Sequence, residues 1–108
     1  MEVKVFNPYD ELEYKKHLYN GIYTLQISIP KGVLLQQHKH KYSHTSILSS
    51  GKVIVSANGV KSTYEGPKIL ELDAGVNHSV YAVTDAVWNC IHKTDETDID
   101  KIDDSLTS

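Results

Sequence analysis

The chain of 108 residues contains one cysteine, one methionine, one tryptophan and one phenylalanine. A lone thiol, Cys90, cannot close an internal disulfide, so the fold is not a cross-linked scaffold, and such usage is compatible with a reducing compartment. Its place in an apolar stretch makes Cys90 a core filler. Positive charge is also scarce: 11 Lys and Arg stand against 14 Asp and Glu, for a formal net charge of -3. Without a basic excess the chain lacks the electrostatic footprint that the phosphate backbone demands, which argues against a nucleic-acid partner. No run approaches the roughly 20 apolar residues that cross a bilayer. The opening MEVKVFNPYDELEYKK lacks the apolar centre of a secretory signal. The expectation is one soluble cytoplasmic domain with no membrane partner, long enough to bury a core unaided.

Helical periodicity is missing from most of the chain, and what replaces it is a dense β signal. From residue 22 onward Ile, Val, Thr and Tyr dominate, and Gly, Pro and Asn-Gly recur at short intervals. Strands are predicted over 22–29, 33–39, 44–50, 52–57, 60–64, 69–72, 78–83 and 87–92. Tyr23, Leu25, Ile27 and Ile29 share one face of the first of these. Asn58-Gly59 is a strong two-residue hairpin signal, because a type I′ turn needs positive φ at both central positions. Regular short strands with no intervening helices point to a small antiparallel barrel or double-sheet jelly roll, and the missing crossover helices argue against a parallel sheet. Three regions follow: an N-terminal arm over 1–21, a β-barrel over 22–93 and an acidic tail over 94–108.

The arm starts with alternation over 3–6. Asn7-Pro8, Asp10 and Glu11 then read as a cap, a first-turn proline and acids suited to a helix dipole. Lys15, Lys16 and His17 fall where cations favour a helix end, with Gly21 as a stop, so a short helix or an ordered loop is expected, and His17 is a surface residue rather than a ligand. In the tail, Thr97 can cap a short helix with Ile99, Ile102 and Leu106 at helical spacing, or the segment is a solvated end.

Four of the six histidines fall at spacings that can set their rings around one point. His38 and His40 are two apart and so share a strand face. A tight turn over 41–43 brings His44 beside them on the next strand, and His78 follows the Asp73-Ala74-Gly75 turn, able to complete the set once a barrel closes. That is a metal site rich in imidazole. Three readings of the cluster stand side by side: surface histidines that chelate adventitiously, a structural metal, or a metal centre that binds or transforms a ligand.

These residues resemble the cupins, small RmlC-like jelly rolls. The first cupin motif runs Gly, five residues, His, one residue, His, three or four residues, Glu, six residues, Gly. Here Gly32, VLLQQ, His38, Lys39, His40, KYS, His44, TSILSS and Gly51 match every spacing, with His44 in the place of the glutamate. The second motif corresponds to Gly66, the turn ending in Gly75, and His78. Asp73 replaces its proline and Ala82 its asparagine, which puts the asparagine's usual role in doubt. The resemblance spans about 22–93. Four-histidine sites occur among small single-domain cupins, including manganese-binding and phage-type members, and GKVIV, NGV and DAVWNCIH are similar to the latter.

The resemblance implies one divalent transition metal, with Fe, Mn, Ni, Zn and Cu all open, held by His38, His40, His44 and His78. Four neutral ligands leave the full dipositive charge on the ion, which favours anionic or enolate-like ligands. An octahedral ion keeps two positions free, whereas a tetrahedral ion is closed. It also implies a homodimer paired through the outer sheet and dioxygenase-like or other metal-dependent chemistry on a small oxygen-bearing molecule. The alternative is a non-catalytic module that binds a small molecule or sugar, or serves in a larger assembly.

Further candidates surround the cluster. Tyr42, in the turn between ligands, offers a hydroxyl as acid or base, or simply faces water. His92 shares a face with Trp88 and Cys90 and is a fifth imidazole, a supporting residue, or a satisfied histidine at the barrel rim. Gln36 shares the alternation of His38 and His40, and Ser46 that of His44, so both are expected to point inward, to orient a ligand or fill polar space. Trp88 is core or a wall of the pocket. Lys39 and Lys41 alternate outward into solvent.

Overall fold

The computed structural model describes residues 4–6, 12–37, 44–72 and 78–101, with residues 4–6, 37 and 44 described through their backbone. Ten strands fill most of that length: β1 (Lys4–Phe6), β2 (Tyr14–Tyr19), β3 (Ile22–Ile29), β4 (Val33–Gln37), β5 (His44–Ser50), β6 (Lys52–Ala57), β7 (Val60–Glu65), β8 (Lys68–Leu72), β9 (His78–Ala82) and β10 (Ala86–Lys93). No helix occurs among the described residues. The strands form two five-stranded sheets, one ordered β1-β4-β9-β6-β7 and the other β2-β3-β10-β5-β8. This is the all-β jelly roll that the sequence predicts.

Alternation builds the core. Along β3 and β10 every second side chain is buried, and the two strands pair over their full length from Ala86 with Ile29 to Lys93 with Ile22. Their inward residues meet Leu35 on β4, Val53 and Val55 on β6, and Val80 on β9 in one apolar cluster. Each fully buried aliphatic or aromatic side chain contributes about 1.5–3 kcal/mol relative to exposure, so two facing apolar layers hold the sheets together without a cross-link. The β6–β7 hairpin closes at Asn58 and Gly59 with φ of 52° and 77°, the positive pair a type I′ turn requires.

Three expectations are corrected. Residues 14–19 form strand β2 rather than a helix or loop, paired with β3 from Tyr14 with Ile27 to Tyr19 with Ile22. Asn20 and Gly21, with φ of 52° and 75°, turn a second hairpin, so Gly21 ends no helix. Lys15 and Lys16 resembled helix-end cations but stand on a sheet edge, where lysines discourage further pairing. The sheets are also not purely antiparallel, since β1 runs parallel to β4. The return path a parallel pair needs is supplied by the β2–β3 hairpin in the opposite sheet instead of by a helix. In the tail, Thr97 caps no helix within the described residues. Asp98 turns the chain there, accepting from the Asp100 N–H at 3.0 Å, while Ile99 packs against the core. Ile102 and Leu106 lie outside the described residues.

The motif glycine Gly51 has a physical role. It takes φ of +91° at the β5–β6 turn, and a Cβ there would sit 2.7 Å from Ala86 Cα and against the Asp85 carbonyl oxygen. Backbone crowds it, so no side chain can swing away. Gly59 has φ of +77° but open space around it. Gly51→Ala is therefore expected to cost on the order of 3 kcal/mol and Gly59→Ala about 1 kcal/mol, since only the former adds a clash to the φ penalty. Urea unfolding of the two variants checks this; equal losses would contradict the packing described at Gly51.

Candidate functional site

Four strand ends meet at one end of the barrel. The chain leaves the first sheet at Gln37, the end of β4, and enters the second at His44, the start of β5. It leaves the second sheet at Leu72, the end of β8, and re-enters the first at His78, the start of β9. Gln37 stands opposite His78, and His44 opposite Leu72. All four strand ends therefore lie at the end of the sandwich away from the Gly51 turn.

The inward faces turn polar only towards that end. His78 is 3% exposed and begins the inward series His78, Val80, Ala82 on β9. In the other sheet Cys90 faces Ser46 and Ile91 faces Thr45. Run on by one residue, that register sets His92 against the position of His44. His92 is buried on the inward face of β10, and its ring stacks on Tyr23 at 6.5 Å and 27°. The buried polar or charged residues among those described are Ser46, His78 and His92. No carboxylate, lysine or arginine joins them there, so imidazole and hydroxyl groups supply the chemistry.

Of the four expected metal ligands, His78 is the one whose side chain is described, and it is turned into the barrel. His44 is fixed by its register position at the start of β5. His38, His40 and Tyr42 lie outside the described residues. Among the described residues no group of three or more His, Cys, Asp or Glu could hold a metal ion. Lys39 and Lys41 also lie outside them.

The neighbouring candidates separate clearly. Ser46 and Trp88 are both fully buried on the inward face, with Ser46 opposite Cys90 and Trp88 opposite Leu48. Their Oγ and Nε1 atoms have no hydrogen-bond partner among the described residues. Gln36 is a correction. It is exposed, opposite Ser79 on the outer face, because Val33 and Leu35 take the interior and alternation sends Gln36 out. Gln37, not Gln36, holds the register position opposite His78. His17 lies away from the site, its Nε2–H donating to Gln26 Oε1 at 3.1 Å. Tyr23 was overlooked as a site residue; its place in the inward series of β3, together with the pairing of β3 with β10, is the signal that points to it.

No protein-family model matches the sequence. No curated protein matches it either. Solved structures do match the fold. A cupin-superfamily protein from Desulfitobacterium hafniense superposes with a TM-score of 0.68 at 10% identity, over 80% of each chain. An RmlC-like cupin from Methanocaldococcus jannaschii, described as a double-stranded β-helix, gives 0.67 at 12% identity, covering 87% of this chain and 91% of that one. The cupin domain of a Schizosaccharomyces pombe protein gives 0.66 at 12% identity, covering 94% and 79%. The chain has the cupin fold.

Cys90, 2% exposed on the same inward face as Ser46 and His92, reports on this arrangement. A buried thiol reacts only when the structure opens. The native protein is expected to resist a thiol reagent, with full labelling in denaturant. Native labelling at the unfolded rate would place Cys90 outside the barrel.

Proposed function

We propose that the protein is a metal-binding cupin with a mononuclear centre at the end of the barrel where β4 and β8 end and β5 and β9 begin. His38, His40, His44 and His78 hold the ion, which is a divalent transition metal. The observation that carries this reading is the register: the start of β5 at His44 and the start of β9 at His78 stand at one end, with His78 buried and turned inward. The first cupin motif, with its glycines at 32 and 51, brackets the other two histidines between the same strands. The donor set fits the group, since neutral imidazoles suit Zn, Cu, Fe and Ni and bind Mn less strongly. An ion so bound supplies a Lewis acid that keeps its full charge. The ligand is a small oxygen-bearing molecule, and the activity is that of a metal-dependent oxidoreductase of dioxygenase type.

A second reading has its own support. No Asp, Glu or Lys is among the buried residues described, so they offer no carboxylate or amine for acid–base work. That composition suits a module that binds a small molecule or sugar without transforming it.

Metal analysis of protein purified without an affinity tag separates the outcomes. About one equivalent of a transition metal is expected, falling close to zero in His78→Ala and His38→Ala and retained in His17→Ala. Full occupancy in both site variants would contradict the proposed ligands. Oxygen uptake with diketones, thiols or phenolics on Fe- or Mn-loaded protein then divides the two readings: turnover supports the enzyme, and ligand binding without turnover supports the module.

A further inference from the structure

The inner face of the second sheet carries two donors that no described residue satisfies. Ser46 Oγ and Trp88 Nε1 are buried without a hydrogen-bond partner among the described residues, and both side chains are 0% exposed. Ser46 stands opposite Cys90 and Leu48 opposite Trp88, so the two residues are diagonal neighbours on one face. Diagonal neighbours lie roughly 7–8 Å apart, within reach of an aromatic side chain. An unsatisfied buried donor costs about 1–3 kcal/mol, and native cores seldom tolerate one, let alone two side by side. Alanine at 46 or phenylalanine at 88 would remove the cost at once.

What the two groups lack among the described residues is an acceptor. An indole N–H only donates, and a serine hydroxyl can rotate to donate as well. A trapped water is a poor answer, because it must direct its own protons at acceptors. The adjoining inward residues Leu25, Ile27 and Leu48 present only apolar side chains, and Cys90 adds a thiol, a weak acceptor beside a carboxylate. A carboxylate needs donors alone. The other buried polar residues described, His78 and His92, are imidazoles, and no acid is buried among the described residues to repel an anion.

We propose that the barrel interior takes a small carboxylate whose oxygens accept from Ser46 Oγ and Trp88 Nε1. This rests on reading the interior as a ligand site but not on the bound ion. Ser46 and Trp88 are thereby binding residues that set an anionic ligand class.

Trp88 is the only tryptophan, so its fluorescence and its indole N–H proton resonance report on this position alone. Both are followed while acetate is titrated at constant ionic strength, with chloride as the control anion, into chelator-treated and into metal-loaded protein. A saturable change with acetate and none with chloride is expected in both forms, and Ser46→Ala is expected to weaken acetate by on the order of 10-fold. An unmoved indole signal overturns the proposal, as does a response shared with chloride or unchanged in Ser46→Ala. Acetate binding by a protein that takes up no metal on loading would refute the ion and leave the carboxylate site standing. A protein that holds its metal but gives no acetate response would do the reverse.

Discussion

The structure depends on how its chain passes between two facing sheets. β4 gives way to β5, and β8 to β9, at a single end of the sandwich, and each passage starts or finishes beside a histidine. Below that end the barrel is lined by Ile27, Leu35, Leu48, Val80 and Trp88, all fully buried. This apolar floor fixes the register of both sheets, because a slip of one residue would exchange inner for outer faces. It also removes water from beneath His78, Ser46 and His92, so that any charge bound there is felt strongly. Core packing and site placement are one constraint.

Gly51 ties the two together at the opposite end. The β5 ladder shifts register against β10 between Val87 and Trp88, and the Asn89 side-chain amide donates to Ile47 O and Ser49 Oγ beside that irregularity. The chain then reverses at Gly51, pressed against Ala86. The spacing from His44 to Gly51 is thus the length of one strand of the barrel, running from the candidate site to the turn at the far end. A motif read as a string of residues is, physically, a strand with its turn.

Legibility followed the strength of alternation. β3, β5 and β6 are readable to the residue, β3 because apolar side chains alternate with polar ones and β5 and β6 because they meet at the Gly51 turn and β6 ends at Asn58-Gly59. β2 is not. Its cations and the proline at position 8 matched the marks of a helix, and only its pairing with β3 makes it a strand. Gln36 failed for a related reason: the parity of His38 and His40 was extended backwards along the strand, whereas Leu35 and Val33 had already claimed the interior. Ser46, Trp88 and His92 lie on the inward face because burial alternates strictly along β5 and β10 at those residues. The fold is a frame that many chemistries share, so the functional reading rests on the side chains at the end of the barrel rather than on the architecture.

The central claim is that imidazoles from two remote segments meet on one ion. X-ray absorption fine structure of the metal-loaded protein tests it most directly. The account predicts a first shell dominated by histidine nitrogens at about 2.0–2.2 Å, with the outer-shell scattering of imidazole rings. A shell of sulfur from Cys90, or of oxygen without imidazole, would contradict it.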